Sequence, residues 1–273
     1  MKIAVSMWSV HREFYENGWT LRDFLEFAFT YRIQYVELLS QFWRDRESEL
    51  PIVQEALQKG LHCAAYAVGN DFAAVDPARH QKAVREVQEG IRMASLLGAP
   101  VVRVFPGNLN PGEDGRAHFE RIVRGLREAA PDAAAAGVTL CLENHGKLAA
   151  TSEQVRAILD AVASPHVRAA LNVANFALAG QDPLAAAAEL LPYVEHVHIK
   201  DIARCEDEPS WRSPAGVRYR GVPLGRGVVP LAGILAALRE ARYRGALSIE
   251  YEGLGDEQEG VLKSLQALSA LLA

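Results

Sequence analysis

Cysteine is scarce in this 273-residue chain: Cys63, Cys141 and Cys205 lie far apart and never in C-x-x-C spacing. Such usage speaks against a zinc ribbon or a disulfide framework and fits a reducing compartment, so a cytoplasmic location is expected. Long apolar runs are missing too. No window approaches ~18 uninterrupted apolar residues, which argues against a membrane span. The opening MKIAVSMWSVHREF breaks into charged residues without a small-residue cleavage pattern, so no signal peptide is read. Positive charge is not in excess: 29 Lys and Arg against 34 Asp and Glu leave a formal charge of -5 and a pI of 5.9. That balance argues against holding nucleic acid by phosphate neutralisation. Finally, no GxGxxG follows the first strand-like run, and GNLNPGEDG and PLGRG are no substitute, which weakens the case for an open dinucleotide-binding sheet.

What the chain has is regular alternation. Short β-rich runs, KIAVSMW, QYVELL, HCAAYAV, VVRVFPG, VTLCLENHG, RAALNVANF, HVHIKD and ALSIEYEG, are separated by amphipathic helical runs. Thr20 and Ser152 stand where helices would be capped, and Gly60, Gly98 and Gly137 where helices would close. Eight β/α pairs at roughly 34 residues each predict a parallel sheet closed into a (β/α)8 barrel, with residues 1–273 forming one domain.

One connection departs from the pattern. ARCEDEPSWRSPAGVRYRGVPLGRG, about two dozen residues after HVHIKD, is far longer than the usual two to six. Its Trp211 and Tyr219, with Arg212, Arg218, Arg220 and Arg226, read either as a lid over an anionic or polyhydroxylated ligand or as a solvated excursion.

In such a barrel the active site lies where the strands end, and this chain concentrates polar residues there. Strand five offers Glu143 and His145, strand six Asn172 and Asn175, strand seven His196, His198 and Lys200, and strand eight Glu250 and Glu252. Side chains alternate along a strand, so each set is expected to share one face at the barrel mouth. Facing carboxylates in a buried setting call for a cation, a proton or a basic neighbour. Oxygen donors with one imidazole describe a site for Mn²⁺, Mg²⁺, Co²⁺ or Zn²⁺ rather than a soft thiolate site. Earlier strands speak less clearly: Glu37, His62, Tyr66 and Arg103 are candidates for substrate contact or packing, and Trp8, His11 and Trp43 for an apolar wall.

The segments GIRMASLLGAPVVRVFPG, CLENHG, DPLAAAAELLPYVEHVHIKD, GRG and YRGALSIEYEG, in this order, resemble the sugar isomerase and epimerase superfamily of xylose isomerase-like TIM barrels. That superfamily includes tagatose epimerase-like enzymes, inosose dehydratase and, more distantly, endonuclease IV. The resemblance covers essentially the whole chain. It implies one divalent metal held by Glu143, Asn172, His198 and Glu250, with Asn172 standing where relatives carry Asp. It also implies proton transfer beside a carbonyl through the pair Glu143 and Glu250, on a small sugar or cyclitol, with a homodimer as the family expectation. His145, Asn175, Lys200, Glu37, Arg220 and Glu252 are the expected substrate-binding residues.

The departure at Asn172 removes one negative charge from the ligand set but keeps a carbonyl oxygen. Metal is then retained with lower affinity, or lost in a non-catalytic carbohydrate-binding protein, or compensated by Glu252 or another carboxylate. An endonuclease reading fares worse, because these strand ends lack the ligands of a multi-zinc cluster and the chain is acidic.

Overall fold

The structure is a computed structural model that describes residues 1–207 and 209–273. Eight strands form the closed barrel: β1 (Lys2–Ser6), β2 (Tyr35–Leu39), β3 (His62–Ala67), β4 (Val101–Val104), β5 (Thr139–Glu143), β6 (Val167–Asn172), β7 (Val194–Ile199) and β11 (Ala246–Ile249). Their order around the barrel is β1-β11-β7-β6-β5-β4-β3-β2, and every neighbouring pair is parallel. This is a single (β/α)8 TIM barrel. The VVRV of β4 and the ALSI of β11 are buried throughout, as befits strands covered on one side by helices and on the other by the barrel interior.

Helices fill the outer ring: α1 (His11–Glu16), α2 (Leu21–Thr30), α3 (Arg46–Gln58), α4 (Pro77–Leu97), α5 (Gly115–Ala136), α6 (Ser152–Val162), α7 (Val173–Ala179), α8 (Pro183–Leu190), α9 (Leu231–Glu240) and α10 (Glu257–Leu272). Thr20 caps α2 in a capping box with Asp23, as its sequence promised. The cap of α6 is Thr151 rather than Ser152, because Gln154 completes a box only with the residue three before it. Gly98 and Gly137 end α4 and α5 in the left-handed conformation, at φ 65 and 68.

Two elements differ from the sequence reading. RAALNVANF is not strand throughout: β6 stops at Asn172 and α7 starts at Val173, so Asn175 sits on a helical turn. The long excursion is a small antiparallel sheet, β8 (Asp201–Arg204), β10 (Arg218–Val222) and β9 (Trp211–Arg212), in the order β8-β10-β9.

That sheet is tied to the chain that follows it by Asp201 and to the barrel by Gly221. The buried Asp201 carboxylate accepts from the backbone N–H of Ile202 (2.9 Å), Gly225 (3.0 Å), Gly227 (2.8 Å) and Val229 (3.2 Å). Gly221 lies so close to the chain after β11 that a Cβ there would come within 2.2 Å of the Glu252 carbonyl oxygen. Among the described residues no helix is long and apolar enough to cross a membrane.

Candidate active site

The site is assembled from strand ends. His196 and His198 are alternate residues of β7, and both reach Glu37 on β2, whose side chain is fully buried. Glu37 Oε2 lies 3.2 Å from His196 Nε2, and both Glu37 oxygens lie 3.0 Å from His198 Nε2. With Nε2 committed to Glu37, His198 turns its Nδ1 toward Glu143 Oε2 and Glu250 Oε1, each 3.4 Å away. A carboxylate behind an imidazole is the arrangement that fixes the ring of a metal-binding histidine.

Glu143 is the last residue of β5 and Glu250 the first after β11; Asn172, the last of β6, stands between them. Asn172 Nδ2 donates to Glu143 Oε1 (3.0 Å) and to Glu250 Oε2 (2.8 Å). Its backbone is held by Asn144, whose Oδ1 accepts from Asn172 N (2.6 Å) and whose Nδ2 donates to Asn172 O (2.9 Å). Asn175 Nδ2 donates to the Asn144 carbonyl (2.9 Å) and reaches Glu143 Oε1 at 3.4 Å. On the other side Arg103 Nε lies 3.2 Å from Glu143 Oε2, with its guanidinium stacked over Phe105 at 3.8 Å.

Burial and charge pull these groups apart. Burial pushes the Glu143 carboxyl up, but His198 and Arg103 beside it more than offset this and hold it below the ordinary range. Glu250 is pushed up to about 7, chiefly by burial, with Glu143 and Glu252 adding to the effect against His198 and Lys200. Glu37 is likewise buried, yet His198 and His196 keep it well below its usual value. Burial works against a charge on His198, but the three carboxylates of Glu250, Glu37 and Glu143 outweigh it and raise that imidazole well above 6.5. Burial prevails at His196, whose value is lowered.

Several buried atoms at this point have no hydrogen-bond partner among the described residues: His198 Nδ1, Asn172 Oδ1, Glu143 Oε2 and Arg103 Nε. One imidazole nitrogen and two carboxylates meeting in a buried setting, beside an amide whose oxygen has no partner, fit a hard or borderline divalent cation. Glu143, His198 and Glu250 bring donor atoms within 4.8 Å of one another. Glu37, His196 and His198 do the same, but the Glu37 oxygens are already occupied by the two imidazole nitrogens, and all three residues are sealed from solvent.

Of the residues singled out in the sequence, Glu143, Asn172, His198, Glu250 and Asn175 are brought together. Glu37, read as a substrate contact or a packing residue, is fully buried, with its oxygens on the two histidines. His145 does not share a face with Glu143: β5 ends, the chain turns, and Asn144 points inward while His145 is exposed and packs on Phe105 at 4.4 Å. Lys200 is buried, its Nζ 2.6 Å from Glu252 Oε1 and 4.2 Å over the Trp211 ring. Arg220 is exposed on β10, outside the buried group. His62 lies at the start of β3, stacked on Tyr35, at the opposite end of the barrel from the strand ends. Asn144 and the partner of Arg103 were missed. The N-H of CLENHG was the available signal, and only the turn after Glu143 reveals which of the two faces inward.

Residues 23–271 match the family model described as xylose isomerase-like TIM barrel, and the chain belongs to that family. Within it, the chain is 21% identical to a 3-dehydroshikimate dehydratase of Bacillus anthracis over 255 residues, 89% of this chain and 88% of that protein. It also matches a Homo sapiens protein at 25% identity over 193 residues, spanning 64% of that protein's length. Among solved structures, the IOLI protein with a binding zinc atom superposes with a TM-score of 0.81 at 19% identity, covering 100% of this chain and 98% of that one. L-ribulose 3-epimerase superposes with a TM-score of 0.79 at 19% identity, covering 100% and 95%. These two likenesses concern the fold.

Proposed function

We propose that the protein is a divalent-metal-dependent isomerase or epimerase of a small sugar or cyclitol, moving a proton at the carbon beside a carbonyl. The observation that carries this reading is the meeting of two buried carboxylates, Glu143 and Glu250, around one imidazole nitrogen that lacks a partner, where the strands end. Glu143, His198 and Glu250, with Asn172 through its amide oxygen, would hold Mn²⁺, Co²⁺, Mg²⁺ or Zn²⁺. Such an ion, when bound, polarises substrate oxygens and stabilises the negative charge that develops on them.

The chain supplies the rest. One glutamate of the pair takes the carbon-bound proton and the other returns one to the enediolate. Return to the opposite face gives an epimer, and return to the neighbouring carbon an isomer. Glu37 keeps the His198 ring in place, and Arg103 steadies the charge on Glu143. Lys200, under the Trp211 ring, and Glu252 give the mouth a donor and an acceptor for substrate hydroxyls, and His145 packs on Phe105 nearby.

The likeness to a dehydratase supports a second outcome of the same chemistry, loss of hydroxide in place of proton return. A panel of free ketoses, inososes and keto-glycosides in deuterium oxide tests both. Deuterium is expected at one carbon of the accepted substrate, with an epimer or, from a ketose, the aldose as product, or an unsaturated product if hydroxide leaves. Failure of every panel member to exchange with metal-loaded protein would count against the reading.

A further inference from the structure

We infer that Asn172 is a two-state latch on the metal centre: its amide nitrogen closes the site when the ion is away, and its amide oxygen serves the ion when it is bound. This rests on the reading of Glu143, His198 and Glu250 as ligands, and it concerns what the one atypical ligand position does.

As the amide stands, its nitrogen donates to one oxygen of each glutamate, at 3.0 and 2.8 Å, while Oδ1 is buried without a partner. Two carboxylates this close repel each other, and the two N–H groups bridge them much as a cation would. An aspartate could not do this. It has no donor, and it would add a third negative charge beside the pair.

The same nitrogen cannot face a cation, so the side chain must turn for the ion to enter. Its backbone cannot shift to help, since Asn144 holds both Asn172 N and Asn172 O. The remaining freedom is rotation about the bond to the amide group, a broad and nearly two-fold torsion that exchanges nitrogen for oxygen with little movement of other atoms. The turn satisfies the orphaned oxygen and gives up two hydrogen bonds. The centre is therefore already ordered without metal, and it binds metal less tightly than an all-carboxylate version would.

The test uses protein treated with EDTA and dialysed, melted alone and with Zn²⁺, with zinc affinity read by competition against a chromophoric chelator. For Asn172→Asp the metal-free protein is expected to melt about 3 °C or more below the wild type, and zinc affinity to rise about tenfold or more. Zinc-loaded N172D melting at or above zinc-loaded wild type shows that the variant folds. Asn172→Ala removes both faces of the amide, so it is expected to melt lower without metal and to bind zinc more weakly than the wild type. Metal-free N172D melting at or above the wild type, unchanged zinc affinity in N172D, or tighter zinc binding by N172A would each overturn the latch. Lack of deuterium exchange by the wild type would instead overturn the proposed reaction and leave these melts as they are.

Discussion

At the scale of single residues, Glu143 and Glu250 carry the chemistry in this account and Glu37 carries the geometry. Glu143→Gln and Glu250→Gln keep the shape of the site but remove the proton acceptors, so each is expected to lower turnover by about 10²–10⁴-fold with an unchanged far-UV spectrum. Full activity in either variant would refute the assigned pair. Glu37→Gln leaves the ligands in place and weakens the hold on the His198 ring. Metal affinity should fall about 10–100-fold, read by chelator competition. Glu143 and His198 stood out in the sequence because a charged or imidazole side chain inside a run such as TLCLE or VEHVHI is out of place unless something uses it. Asn144 and Arg103 were less legible for a physical reason. Each acts through a partner more than 25 residues away, Asn172 for the one and Glu143 for the other, and nothing local marks those pairings.

Among elements, the antiparallel sheet β8-β10-β9 sets Trp211 over Lys200, and one buried carboxylate ties it to the chain that follows. Removing Asp201 would leave four backbone N–H groups without their acceptor. Two of these donors, on Ile202 and Val229, belong to buried residues, where each unsatisfied donor costs about 1–3 kcal/mol. Asp201→Ala should therefore make the 205–230 segment sensitive to limited proteolysis while the barrel core survives; cleavage elsewhere first would show that the sheet is held by other contacts. The sequence marked this stretch as unusual by length alone. Its strands are too short, and its Gly and Pro too frequent, for periodicity to distinguish a sheet from an irregular lid. The same limit explains RAALNVANF. The apolar run continues across the strand end, so only backbone geometry tells where β6 gives way to α7.

For the whole molecule, the eightfold alternation fixed the barrel because each β/α pair has only one economical place beside the last. The barrel closes between β1 and β11, and side chains after both strands reinforce that seam. Arg12 donates to Gly253 O, Leu254 O and Gly255 O and pairs with Glu257, while His11 Nδ1 lies 3.0 Å from Glu257 Oε1. Partial burial lowers the His11 value, but Glu257, with Glu252 further off, more than offsets this and raises it above 6.5. A histidine raised on folding adds stability that is full below its unfolded value and lost as pH rises through its folded one. Urea unfolding should therefore show His11→Gln less stable than the wild type below about pH 6.5, with the difference shrinking as pH rises through the folded value. An identical slope in the variant would assign the pH dependence elsewhere.

The proposed function needs a divalent ion among Glu143, His198 and Glu250 rather than among Glu37, His196 and His198. Anomalous diffraction from crystals grown with Mn²⁺ tests this directly. One strong peak is expected, bounded by the two carboxylates and His198 Nδ1, with the Asn172 oxygen turned toward it. A peak between Glu37, His196 and His198, or none at either place with saturating Mn²⁺, would contradict it.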